Sequence, residues 1–147
     1  MKAVLAAILL ACLAPGLSAA EGLKPFAWKN RVLLIFADRN GAEVKEQRRL
    51  VEEEQAALAE RDMVVLLIYG ETVEPLYGRS AGLSAAALRR AAGVRTQQSG
   101  FEAVLIGKDG GVKLREQNPV SADALFGLID AMPMRAGERR RAEPAAN

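Results

Sequence analysis

RVLLIFA, residues 31–37, is a nearly unbroken run of apolar, mostly branched side chains. A run of this kind suits a strand buried on both faces, as in a parallel sheet, rather than one that alternates between core and solvent. MVVLLIY, residues 63–69, repeats the pattern. Between the two, Val44, Val51 and Leu58 recur every seven positions, with Leu50 and Ala57 beside them. That stripe predicts one amphipathic helix, capped by Asn40 with Glu43 three residues on, and running to about Arg61. Strand, long helical crossover and strand together make a right-handed parallel βαβ unit. Glu52, Glu53 and Glu54 fall on the solvent side, with Arg48 and Arg49 four residues before the first two.

Downstream, residues 70–82 hold Pro75 and three glycines and read as a long loop. Ser84 caps a short helix that runs to Ala92 and ends at Gly93. FEAVLI, residues 101–106, is a third strand, and Gly107-Lys108-Asp109-Gly110-Gly111 is a hairpin turn into a fourth, residues 112–116. On that strand Val112 and Leu114 point one way, Lys113 and Arg115 the other. Pro119 breaks the chain. Ser121 caps a last helix with Leu125, Phe126, Ile129 and Met132 on its apolar face, and Pro133 stops it. The order predicts an α/β fold, thioredoxin-like β-α-β-α-β-β-α, with a four-stranded mixed sheet flanked by helices. Trp28, the one tryptophan, sits in the lead-in at 21–30 and reads as a core or rim anchor.

The ends differ from the body. Lys2, the apolar run Ala3–Ala14, the break at Pro15-Gly16 and the small residues Ser18-Ala19-Ala20 have the layout of a secretory signal peptide over residues 1–20. The run is too short to span a bilayer, which takes about 20 apolar residues. The expected location is periplasmic or secreted. An alternative is a lipoprotein anchored through Cys12, since Leu9-Leu10-Ala11-Cys12 resembles a lipobox. Residues 21–135 form the expected domain, and 136–147 a disordered basic tail containing Arg139, Arg140 and Arg141.

Cutting after Ala20 removes Lys2 and no acid, so the mature charge is 19 − 18 = +1. A balanced exported chain excludes strong attraction to nucleic acid, and no transmembrane segment remains. The cut also removes Cys12, the one cysteine, and the chain has no histidine. Disulfide exchange, thiol peroxidase activity and a Ser-His-Asp triad all lose their reacting groups. Zinc and iron lose their usual ligands, and Met132-Pro133-Met134 reads as a core contact plus one exposed thioether rather than a copper site. The expectation is no metal, no cofactor and no catalytic residue. In a thioredoxin fold the reactive thiol follows the first strand, where this chain has Ala37-Asp38-Arg39-Asn40-Gly41-Ala42.

What remains is polar: Asp38 and Arg39 after the first strand, Lys108 and Asp109 in the hairpin, Lys113 and Arg115 on one strand face. They read as charge guarding an edge strand, or as a site for a small anion or an envelope protein formed by the loop after strand one, residues 70–82 and the hairpin. Three functions stay open: a binding or interaction module, a non-thiol enzyme with Asp38 as base and Arg39 as anion clamp, and a structural envelope protein.

RVLLIFA, the Gln47-Arg48 pair, Glu60-Arg61-Asp62, LIGKDGGVKLR at 105–115 and Met132-Pro133-Met134-Arg135 together resemble a bacterial family known as domain of unknown function 4174, over about residues 24–140. That family is similar to repeated domains in secreted vertebrate matrix and sushi-repeat proteins. The resemblance implies a thioredoxin-like, exported, non-redox module and brings no catalytic residues.

Overall fold

The structure, a computed structural model, describes residues 19–95 and 100–143. The expected leader falls on residues 1–18, outside the described ones, except that Ala19 and Ala20 open a 3-10 segment, Ala19–Phe26. The two apolar runs form β1 (Arg31–Phe36) and β2 (Met63–Tyr69), paired in parallel from Arg31↔Met63 to Phe36↔Ile68. β3 (Thr72–Tyr77) returns antiparallel to β2. β4 (Glu102–Ile106) runs antiparallel to β1, and β5 (Val112–Glu116) antiparallel to β4. The result is a five-stranded mixed sheet in the order β3-β2-β1-β4-β5.

The central strands are buried on both faces because helices cover both. Leu33, Ile35, Val65, Leu67 and Leu105 meet Val44 and Val51 of α1 (Ala42–Glu53), Leu58 of α2 (Gln55–Glu60), and Leu125 and Ile129 of α4 (Ala122–Asp130). The alternate residues Val32, Leu34, Leu66, Ile68 and Val104 meet Leu88 of α3 (Ala85–Ala92) and Leu23 and Phe26 of the 3-10 segment. Ser84 and Ser121 cap α3 and α4 as expected, each hydroxyl accepting from the backbone N–H three residues on at 3.2 Å. Gly93 ends α3 at φ 66°, where only glycine sits without strain.

Five sequence expectations are corrected. The sheet has five strands, not four: TVEPLY lies inside the expected loop, and its Pro75 is tolerated because β3 is an edge. The helix expected to Arg61 breaks at Glu54, whose φ −111° and ψ 22° separate α1 from α2, although the Val44-Val51-Leu58 stripe is buried throughout. Gly41, not Asn40, precedes α1, and no side chain caps it. Residues 136–142 of the expected disordered tail are helical: α5 (Pro133–Ala142) begins at the proline that was expected to end the previous helix, in keeping with proline's fitness for a first helical turn. Trp28 is 68 % exposed rather than an anchor in the core.

Candidate functional site

The register divides the polar residues singled out from the sequence. Phe36 pairs with Ile68 and Glu102, so Asp38 and Arg39 stand at the C-terminal end of β1. Val32 pairs with Ile106, so the hairpin with Lys108 and Asp109 stands at the opposite end. The contact surface expected to combine the loop after β1 with the hairpin is therefore not one surface.

At the β1 C-terminal end, Asp38 is exposed beside a cavity of about 120 Å³ that Tyr69, Gly70 and Arg89 also line. A carboxylate in open solvent is not the desolvated base that acid–base catalysis favours. Arg39 lies with its guanidinium 5.7 Å from the Tyr69 ring and its Nε 3.8 Å from Glu74. Glu74 is held more firmly by Arg48, through two bonds of 2.8 and 2.9 Å. That pairing holds the Glu74 carboxyl below its ordinary range and ties α1 to the edge strand. Arg89 is already engaged with the Gly70 carbonyl and faces Glu71 at 3.6 Å.

Arg115 and Lys113, expected as charge guarding an edge strand, are exposed on β5, which is an edge of the sheet, and each also pairs with neighbouring groups. Arg115 donates to Glu102 and to the Ala92 carbonyl, so it joins β5, β4 and the end of α3. Lys113 Nζ donates to Asp109 Oδ2 at 2.8 Å, and the Gly111 N–H donates to Asp109 Oδ1 at 3.1 Å. These contacts hold Asp109 below the ordinary carboxyl range, Lys113 contributing most.

At the hairpin end the charges are interior. Lys108 is buried, its Nζ donating to Asp62 at 2.7 Å and to Glu138 at 2.6 Å. Arg31, buried at the start of β1, donates to both Glu138 oxygens at 3.2 and 3.3 Å and to the Arg61 carbonyl. Burial pushes the Glu138 carboxyl up, but Lys108 and Arg31 outweigh it and hold it below its ordinary value. One turn earlier, Arg135 is buried between Asp130 and Glu60, and Arg61 bridges to Asp130 at 2.7 Å with its guanidinium 4.5 Å from the Phe126 ring. Glu60-Arg61-Asp62, the hairpin and Met132–Arg135 are thus one cluster that pins α5 to the sheet.

Around this cluster lie all three large apolar side chains that are exposed among the described residues: Trp28, Val112 at 47 % and Met134 at 39 %. The Trp28 N–H donates to the Lys108 carbonyl at 2.8 Å, fixing it to the hairpin, and its φ is +62°. An aromatic residue in the left-handed region costs about 1–3 kcal/mol, strain that persists only where the surroundings impose it. Trp28 edges a cavity of about 300 Å³ walled by Leu23, Phe26, Val32 and Ile106. Met134 edges a second, of about 250 Å³, and the two share Gly107, Lys108 and Asp109. Val112 opens β5 directly after the hairpin, paired with Ile106.

The hairpin was legible in the sequence; there Trp28 reads only as a core or rim anchor and Val112 only as a strand residue, and Arg31, Asp62 and Glu138 carry no site role. The separation of Met132, packed on the core, from exposed Met134 is as expected. Among the described residues no group of three or more His, Cys, Asp or Glu could hold a metal ion, and no helix is long and apolar enough to cross a membrane.

Neither the curated proteins nor the solved structures contain a match to this chain. A family model matches residues 22–138, which takes in the whole sheet, the hairpin and the charged anchor of α5, and the chain therefore belongs to the family described as Domain of unknown function (DUF4174).

Proposed function

We propose that this chain is an exported, non-redox binding module that meets a partner polypeptide through the hairpin end of its sheet. The observation that carries the reading is the exposure of Trp28, Val112 and Met134 around a single hairpin, with two cavities that share Gly107, Lys108 and Asp109, one edged by Trp28 and the other by Met134. Contiguous exposed apolar surface rimmed by polar groups marks interaction sites, and tryptophan is enriched among the residues that dominate interface energy. Backbone strain spent on holding the Trp28 ring outward fits the same role. The scaffold is read as thioredoxin-like: without edge strand β3, the order β2-β1-β4-β5 is one parallel pair extended by antiparallel neighbours. Export rests on the composition of residues 1–20. A measured mature mass beginning at Glu21 would support it, and an acylated Cys12 would replace it with membrane anchoring.

The face is tested by placing a photoreactive amino acid at position 28, 112, 134 or 38 and irradiating the exported protein in cells. Crosslinks to the same partner from the first three positions and none from position 38 support the reading. Crosslinks from position 38 alone overturn it.

A further inference from the structure

We propose that α5 is a latch that governs how Trp28 is presented, acting through Lys108; its regulatory meaning rests on the hairpin-end interaction face. The starting observation is how α5 is attached. Among the described residues it gives no side chain to either apolar core, and its one buried residue is Arg135. Polar contacts hold it at two points. Arg135 donates to the Glu60 carbonyl at 2.9 Å, to the Glu60 carboxylate and to Asp130 at 3.3 Å. Glu138 accepts from Arg31 at 3.2 and 3.3 Å and from Lys108 at 2.6 Å. A helix without apolar burial lacks the main adhesive force of folding, so it opens as a unit while the sheet and both cores stay closed.

The second observation is what lies at the far side of the latch. Lys108 Nζ sits between Glu138 of α5 and Asp62, at 2.6 and 2.7 Å. The carbonyl of the same Lys108 accepts the Trp28 N–H at 2.8 Å. Trp28 and Asp62 both have positive φ, 62° and 50°. One residue thus ties α5 to both left-handed positions. Such strain persists only while neighbours impose it. When Glu138 leaves, Lys108 loses one of its two carboxylates and the hairpin loses its tie to α5. Trp28 then relaxes toward the negative φ that an aromatic residue prefers. Docked α5 holds the indole outward; released α5 frees it. The coupling is reciprocal, so a partner that takes the outward indole tightens α5 by the same factor.

Trp28 is the only tryptophan, so tryptophan-selective isotope labelling of the mature protein isolates its backbone amide, the group bonded to Lys108. Hydrogen exchange at this amide is compared between the unsubstituted protein and Arg135→Met. That change removes one anchor of α5, and Arg135 makes no hydrogen bond or ion pair with Lys108 or Trp28. The expected result is exchange about ten-fold faster, and faster again in Glu138→Ala, which unloads Lys108 itself. Arg115→Ala, which weakens the domain away from α5, should leave the rate unchanged because a local opening does not depend on global stability. If either α5 variant does not fold, Arg135→Lys and Glu138→Gln keep a polar contact and carry the same expectation at smaller amplitude. An unchanged Trp28 rate in the folded α5 variants, or an equal acceleration in Arg115→Ala, would overturn the proposal. Photocrosslinking from position 112 separates it from the reading it rests on. Crosslinks that weaken in Arg135→Met support regulation, and faster exchange with undiminished crosslinks refutes it. Absence of crosslinks from positions 28, 112 and 134 in the otherwise unsubstituted protein sinks the interaction face, while the exchange rates still decide the latch.

Discussion

Lys108 Nζ lies 2.6 Å from Glu138 Oε1, so the β4–β5 hairpin and the last helix are joined across 30 residues of chain by an ion pair sheltered from water. Removing one partner of such a pair leaves the other buried and uncompensated. Glu138→Ala strands both Lys108 and Arg31 and is expected to cost about 3 kcal/mol, the low end of the range because Asp62 and the Arg61 carbonyl remain as partners. Urea unfolding reads this as a lower midpoint with an unchanged slope. A loss under about 1 kcal/mol would mean that α5 is not anchored as described.

Acid should loosen the same anchor. The Glu138 and Asp130 carboxyls lie below their ordinary values of 4.5 and 3.8. For Glu138 burial opposes the shift and the contacts to Lys108 and Arg31 prevail; for Asp130 the Arg61 contact leads. A depressed folded value means that the unfolded chain takes up protons first. The stabilisation is therefore full above the ordinary values and is lost as pH falls through the folded ones. Unfolding free energy measured from about pH 6 down to about pH 3 should decline, and Glu138→Gln should flatten that decline.

Arg115 is 41 % exposed while its partner Glu102 is 7 % exposed, so the two ends of this pair are not equivalent. Arg115 donates to Glu102 Oε1 while the buried Oε2 has no hydrogen-bond partner among the described residues, so Arg115→Ala strips the carboxylate of that contact and should cost about 2 kcal/mol. Combining it with Glu102→Leu removes the stranded charge and should recover most of the loss. Thermal unfolding of the single and double variants checks this, and a double variant no better than the single would refute it.

Gln47 is 2 % exposed and clasps one backbone unit at both ends: its Nε2 donates to the Val120 carbonyl at 3.2 Å, and its Oε1 accepts from the Val120 N–H at 2.8 Å. Gln47→Leu keeps the volume but orphans both buried groups, for an expected loss of about 2–3 kcal/mol by chemical denaturation.

Trp28 should separate stability from binding. Trp28→Gly relieves the positive φ and is expected to leave stability unchanged or to raise it by about 1 kcal/mol. The same change should remove partner crosslinking from positions 112 and 134. A variant that is destabilised yet still crosslinks would make Trp28 a packing residue.

The amino-acid pattern alone determined the double-faced strands 31–36 and 63–69, the buried Val44-Val51-Leu58 stripe, both serine caps and the hairpin at 107–111. All of these follow from local periodicity and local hydrogen bonding, which a linear chain displays directly. Tertiary structure alone decided three things. The half-apolar TVEPLY became a fifth strand because β2 offered it an open edge. Lys108, Arg31 and Arg135, of a residue type that usually faces water, were buried because carboxylates 30, 107 and 75 residues away fold against them. Trp28 was turned outward by a left-handed backbone locked to the Lys108 carbonyl. Charge pairing and the aim of a side chain depend on which distant groups arrive alongside, and no local period encodes that.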